Sequence, residues 1–534
     1  MLSIDQNCHS LWDALPKLQA LAGRRLHVRH LLEDIDVAFT QVGASVGSPL
    51  RLARERYYRG GAADWGAAMF YHQFLGRLPV DVHDWEPYTG LTTKALANQL
   101  GVSVDDLYDE FSPSDNWQLI GPSYVGDREH HRLIGDLSVA ETGEFLRELL
   151  SKARQDMTSV FPDEPSRKRL AEWLDREEAQ VQQWLADHAA RQLVDLYRRW
   201  LGEHLGAAVE IDSTSRFFAL GADADREALL EIFLRDYDLA AGLYNQALAE
   251  GSPTLHPLRT ADGELPFFAA LRRDGHLVRT GVFRSGDALR IGRNAFALAP
   301  DRRLPGDALR QAGVIALAGK AVLLTIQARV GAGSGPLVLP HRGSYYMPAT
   351  HLLARKLQQA GLLGGDLHPV MRIRFRLLDR IRSLSTTIRP PPHLARALGR
   401  DELPAGKLGE CWADLAREAT SRLEAIADPA GRQAWQRRNM PRLFDQIDEL
   451  DRRRRQLAAK NPKAPDIRDL WKRTKPLQTE LLRRTVQRIA DDWQLRDVDY
   501  WDSRGALLPV CIALGGREFY DSLLAQAEVY EEAT

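Results

Sequence analysis

Residues 320–356, KAVLLTIQARVGAGSGPLVLPHRGSYYMPATHLLARK, carry the pattern on which the fold turns. Ala321-Val322-Leu323-Leu324-Thr325-Ile326 is a short apolar run with β-branched members, the composition of a fully buried strand. Three alternate glycines follow at Gly331, Gly333 and Gly335. A second strand is expected from Pro336 to Leu339, then a polar turn, His341-Arg342-Gly343-Ser344-Tyr345-Tyr346. Pro348 stands where a first helical turn accepts proline, so a helix should run on through Leu353, Lys356 and Leu357. Strand, glycine loop, strand, polar turn and helix start is how an α/β protein builds a ligand site at the edge of its sheet.

Outward from this stretch the period keeps switching. Strands are expected at 208–212, 216–220, 265–271, 277–283 and 288–291, with helices at 224–250 and 305–318. Beyond it, Val370 to Leu378 opens with apolar and basic residues in alternation, a strand or the first turn of a helix. Strands alternating with helices predict an α/β domain with a largely parallel sheet, a Rossmann-like core over residues 206–389. Pro390-Pro391-Pro392 reads as a linker. From 390 to 504 the pattern is helical, with Leu443, Ile447, Leu450 and Leu457 on one arm and Leu482, Val486, Ile489 and Trp493 on the other. Asn461-Pro462-Lys463-Ala464-Pro465 lies between them, so a coiled-coil-like antiparallel hairpin is expected, with Arg452–Arg455 near its tip. Residues 505–534 are expected to form a docking tail ending in a helix.

Residues 1–205 read as mostly helical. Apolar positions recur at Leu11, Leu15, Leu18 and Leu21, then at Leu31, Leu32, Ile35 and Phe39. A Gly60-Gly61 break follows, then a helix from Trp65 to about Gly76. Further helices are expected at 139–157 and 164–205. Leu91 to Leu107, with a glycine turn at Gly101, has the form of the first two helices of a helix-turn-helix. Its second helix carries Asp105, Asp106, Asp109 and Glu110, which phosphates would repel. A packed helix pair is therefore preferred to a nucleic-acid reader. The irregular segment 112–137 holds Tyr124, Asp127, His130, His131 and Asp136, either a functional loop or a surface turn with capped polar groups.

Composition narrows the class. The chain has 534 residues, 44% hydrophobic and 27% charged, with a net charge of -1, so it is large enough for several cores and carries no global attraction for nucleic acid or membrane. The opening MLSIDQNCHS has neither a basic nor an apolar leader segment, and no run approaches the roughly 18 apolar residues of a membrane span. Cys8, Cys411 and Cys511 match no metal or redox spacing. The expected location is cytoplasmic.

The chemistry then falls on two clusters. Backbone amides around Gly331, Gly333 and Gly335 could converge on an anion, and Arg342 and Ser344 lie beside a helix N-terminus that favours one. These residues, with Tyr124 and His130, are the candidate substrate-binding set for an anionic small molecule. His341, Tyr345 and His131 are the candidate catalytic residues, the histidines because imidazole moves protons near neutral pH. No metal is expected, since no His, Asp or Glu cluster has ligand spacing on one face. A nucleotide is one candidate cofactor, although Gly331-x-Gly333-x-Gly335 departs from both standard nucleotide fingerprints.

The order of an α/β core, a Gly/Pro-marked turn before an aromatic pair, a strand at His368-Pro369-Val370-Met371-Arg372, a long hairpin and a docked tail resembles the cysteine-adding enzymes of bacillithiol biosynthesis. The resemblance covers Arg216 to Arg380 best, and the hairpin more loosely. Pro340-His341-Arg342-Gly343 stands where that family has Gly-Pro-Gly-Glu, and Tyr345-Tyr346 where it has Tyr-Trp. The resemblance implies a divergent enzyme joining an amino acid or thiol to a carboxylate- or phosphate-bearing partner, and a homodimer through residues 430–495. The alternative is a non-catalytic scaffold assembled through its hairpin. An enzyme should bring His341, Arg342 and Tyr345 into one cleft with Tyr124–His131; a scaffold should bury or scatter them.

Overall fold

A computed structural model describes residues 1–4, 12, 14–38, 50–54, 85–111, 117–122, 124–188, 191–253, 255–503 and 507–533. The expected Gly60-Gly61 break and the Trp65–Gly76 helix lie outside these residues, as do Leu11 and Phe39. The fold is mixed α/β. Its central sheet has six strands in the spatial order Glu528–Glu531, Val370–Arg374, Leu337–Pro340, Leu2–Ile4, Val28–Leu32, Val209–Ser213. The last five are mutually parallel, and Glu528–Glu531 runs antiparallel on Val370–Arg374. Numbered along the chain, the parallel strands lie in the order 5-4-1-2-3, so the winding reverses beside Leu2–Ile4.

Both faces of the sheet are covered, and successive apolar side chains of its strands serve different cores. Val28, Leu32, Val209, Val338 and Ile373 enter one core with helices Leu15–Gly23, Val139–Ser159, Glu164–Asp187, Leu193–Leu205 and Leu507–Ala525. Leu2, Ile4, Leu31, Leu337, Leu339 and Val370 enter the other, with Leu324 and Met347. Against this second face lies an antiparallel meander, Val314–Gly319, Glu264–Arg273, His276–Ser285, Ala288–Ile291 and Asn294–Ala297, to which His131–Arg132 adds a short strand.

Several expectations are corrected. Ala321–Gln327 is a helix, and the buried strand is Val314–Gly319 just before it. Both runs are buried, and periodicity does not separate a buried strand from a buried helical turn. Lys320 is the N-cap of this helix, and the Gly319 before it is packed so closely that a Cβ there would lie 2.6 Å from the Leu324 nitrogen. The 216–220 strand is instead a helical turn, Thr214–Phe217, and the expected helix at 305–318 stops at Gln311. Residues 265–291 do form strands, but antiparallel ones outside the parallel sheet. The region 1–205 contributes two strands to the central sheet, Leu31 and Leu32 among them, so no domain boundary falls at 205. Pro392 opens a helix whose Leu394 is fully buried, and the Arg389 N–H donates to the Val160 carbonyl; 390–392 is packed structure.

The C-terminal helices are Ala405–Ala427, Pro429–Asn439, Pro441–Lys460 and Pro465–Arg496. The third packs antiparallel on the fourth across the 461–464 turn. The base of the fourth is covered within the chain. Val486, Ile489 and Ala490 share a core with Leu423 and Ile426 and with Leu96, Leu100, Leu107 and Phe111 of the helix pair Thr93–Leu100 and Val104–Phe111. Glu110 pairs with Arg483. The pair's apolar side is thus a packing surface.

Candidate site at the carboxyl ends of the sheet

Three segments far apart in sequence meet around the carboxyl ends of Leu337–Pro340 and Val370–Arg374: the turn 341–346, the 3-10 segment Val498–Ser503, and the edge strand Glu528–Glu531, which runs alongside with Tyr530 opposite Arg372. The first turn residue is fixed by the His341 N–H, which donates to the Ile373 carbonyl at 2.8 Å. The Arg342 N–H donates to Ser503 Oγ at 2.8 Å, and Ser252 Oγ donates to the Tyr345 carbonyl at 3.0 Å. Between these anchors Gly343 and Ser344 take φ of 105° and 57°. A non-glycine residue there carries strain of order 1 kcal/mol or more, of a kind found at ligand sites. Met347–Gln359 then begins with Pro348 in its first turn, as expected.

His341 lies between two partners. Its Nε2 is 3.3 Å from Asp499 Oδ2, and its Nδ1 is 2.6 Å from the Tyr530 hydroxyl. A carboxylate only accepts, so in neutral His341 the proton sits on Nε2, and Nδ1 accepts from Tyr530. Arg342 grips the same Asp499 through Nε at 3.0 and 3.2 Å and Nη2 at 3.0 Å. Burial would raise the Asp499 carboxyl, but hydrogen bonds and charge from His341 and Arg342 outweigh it and hold it below the ordinary value. Burial pushes the Tyr530 phenol up. Asp502 pins the 498–503 segment from beneath: it accepts from Arg374 Nε at 2.8 Å and from the Leu378 N–H at 3.3 Å. Tyr345 is 74% exposed at the mouth of the turn.

The expected site is divided. Gly331, Gly333 and Gly335 lie at the amino end of Leu337–Pro340 and His341 beyond its carboxyl end, so a four-residue strand, roughly 13 Å, separates them. The glycine loop holds one of the chain's own carboxylates. The Ala332 N–H donates to Asp223 Oδ2 at 2.6 Å, and a Cβ on Gly331 would lie 2.0 Å from Asp223 Oδ1. Arg226, stacked 3.7 Å from the Phe217 ring, donates to the Ala332 carbonyl. Arg342, expected to clamp a substrate anion, is engaged by Asp499.

Tyr124, His130 and His131 belong to the meander. Tyr124 packs on His131 at 4.6 Å between ring centroids. His130 is buried, with Nδ1 2.7 Å from Asp127, and Arg273 lies against its ring. Burial would raise Asp127, but the His130 and Glu129 N–H bonds and the charges of His130 and Arg273 bring it down to about 2. Asp136 accepts from the Leu277 N–H and from Arg132, which also bonds Glu141. This network fastens 124–136 to the meander, as capped polar groups do. The structure therefore unites His341 with Arg342, leaves Tyr345 at the rim, and puts Tyr124–His131 in a separate cluster.

Sequence reasoning missed Asp499, Ser503 and Tyr530. Two acids and two aromatics packed into Asp499-Tyr500-Trp501-Asp502 were the available signal. Among the described residues, no group of three or more His, Cys, Asp or Glu could hold a metal ion, and no helix is long and apolar enough to cross a membrane. In comparisons with known protein families, curated proteins and solved structures, nothing matches this chain.

Proposed function

We propose that the chain is a cytoplasmic enzyme with a Rossmann-like core that joins an amino acid or thiol to a carboxylate- or phosphate-bearing small molecule. The observation that carries this reading is the position of the Tyr530–His341–Asp499 array. It sits at the carboxyl end of the strand beside the reversal in strand order, where open α/β sheets bind ligands. Tyr530 is the exposed end of this path. On this reading a nucleophile's proton passes to His341 Nδ1, directly or through the Tyr530 oxygen, and Asp499 stabilises the resulting imidazolium. Arg342 positions Asp499 and keeps its charge matched between turnovers. Tyr345 and the Ser344 turn line the approach, beside the N-terminus of Met347–Gln359, which favours an anion. A nucleotide is the candidate co-substrate.

Pairing through residues 430–495 belongs to the same proposal. Because Val486, Ile489 and Ala490 are covered within the chain, it rests on the family resemblance and on the exposed faces of the hairpin. Light scattering should give a particle near twice 60.1 kDa, and a monomer throughout the micromolar range would overturn pairing.

The test of function is a mass-spectrometric assay with cysteine and a panel of sugar, carboxylate and phosphate acceptors, with and without ATP. The reading requires a condensed product that disappears in His341→Asn. Product formed equally by the variant would remove His341 from the chemistry, and no product from any pair would favour the scaffold.

A further inference from the structure

The hairpin tip carries a charge that the rest of the chain does not share. Between Arg452 and Lys475 there are ten Lys and Arg residues and two acids, a formal +8 in a chain of net -1. Arg452, Arg454 and Lys472 have acids on their own helices, Asp448, Asp451 and Asp469. Arg453, Arg455, Lys460, Lys463, Arg468 and Arg473 are exposed and have no acidic partner among the described residues. Such a concentration on two helices and their turn raises the local potential however neutral the whole chain is.

Beside it is an aromatic platform. Trp471 is 47% exposed, and Lys475 Nζ lies 5.2 Å from its ring centroid. Trp471, Lys472, Lys475, Pro476, Thr479 and Glu480 line an open groove of about 420 Å³ on one side of Pro465–Arg496. Pro476 sits inside this helix and has no N–H, so it gives no intrahelical donor to the Lys472 carbonyl. An exposed indole, flanking ammonium groups and a spare backbone acceptor are the features that hold an unstacked base between phosphates.

We propose that this tip binds single-stranded nucleic acid, with phosphates along the Arg453–Arg473 surface and one base stacked on Trp471. A two-fold contact of tip with tip would set like charges against each other, so pairing through residues 430–495 would use the sides of the hairpin and leave its tip open. The site is independent of the His341 cluster and lies on different helices from the Thr93–Phe111 pair, whose apolar side is buried.

The probes are fluorescein-labelled 20-nucleotide single-stranded RNA and DNA and a duplex of the same sequence, titrated with the whole protein and read by anisotropy at 50 and 200 mM salt. The proposal requires single strands to bind at micromolar concentration or tighter, with affinity falling as salt rises. Trp471→Ala should weaken single-strand binding by about tenfold, the loss of one stacked base. Arg453→Glu with Arg473→Glu should weaken it further and flatten the salt dependence. All three substitutions are on exposed side chains, and unchanged melting will show that the fold is kept. No binding at 10 μM and 50 mM salt, or equal binding by wild type and the charge-reversed protein, would overturn the proposal. Binding that prefers duplex and ignores Trp471→Ala would overturn the stacked base.

Discussion

Replacing Asp499 by Asn keeps the shape of the site and removes the charge on which His341 and Arg342 converge. The magnitude follows from the contacts. A hydrogen bond to a charged group contributes about 1.5–3 kcal/mol when well shielded. The Arg342 side chain is 45% exposed, so its share must be reduced for solvent screening, and the His341 contact at 3.3 Å is long. Asn still accepts one bond, which leaves an expected loss of about 1–2 kcal/mol at pH 7. The sign with pH is fixed. Asp499 has a folded pKa below its ordinary 3.8, so its contribution is fully present above that value and is lost as pH falls through the lower folded one. Urea unfolding of wild type and Asp499→Asn at pH 7, 5 and 3 should show the gap at the first two and a reduced gap at the third. Equal stability at pH 7, or a gap unchanged at pH 3, would refute the pairing. In an active assay the same variant should also shift the pH profile of turnover, which a purely structural carboxylate would leave alone.

Two further outcomes follow from packing. Ile489 is fully buried where the hairpin base meets the Thr93–Phe111 pair, so Ile489→Ala should cost about 2–5 kcal/mol in denaturant unfolding; a loss under 1 kcal/mol would mean the two parts do not share a core. Gly331→Ala combines a left-handed residue with a clash on Asp223 and should cost about 2–4 kcal/mol, less when Asp223 is also Ala. An additive double mutant would show that the loop does not cradle that carboxylate.

What was legible in the sequence was local. Leu337–Pro340 is a short apolar run, Val209–Ser213 and Val370–Arg374 mix apolar with charged positions as strands do, and the Pro348 helix start follows from backbone chemistry. Leu2–Ile4 has only three residues, too few to show a period, yet it is a central strand. The positive φ of Gly331 and Gly333 could be anticipated, but not their neighbours, Asp223 for the first and Arg29 for the second. His341 and Arg342 could be chosen for their chemistry and place beside a helix start. Their partners could not, because Asp499 lies 158 residues beyond His341 and Tyr530 lies 189 beyond it. Nothing in either local pattern couples them until the sheet brings the tail strand alongside Val370–Arg374.

The central claim, that the small-molecule site lies at the carboxyl ends of the sheet, is tested most directly by locating a ligand. A melting-temperature screen over amino acids, thiols, sugar acids and nucleotides supplies the ligand, and hydrogen–deuterium exchange then maps its protection along the chain. Protection concentrated in 341–346, 498–503 and 528–531, and abolished by His341→Asn, is the predicted result. Protection confined to 124–131 or 329–335, with 341–346 unchanged, would contradict it.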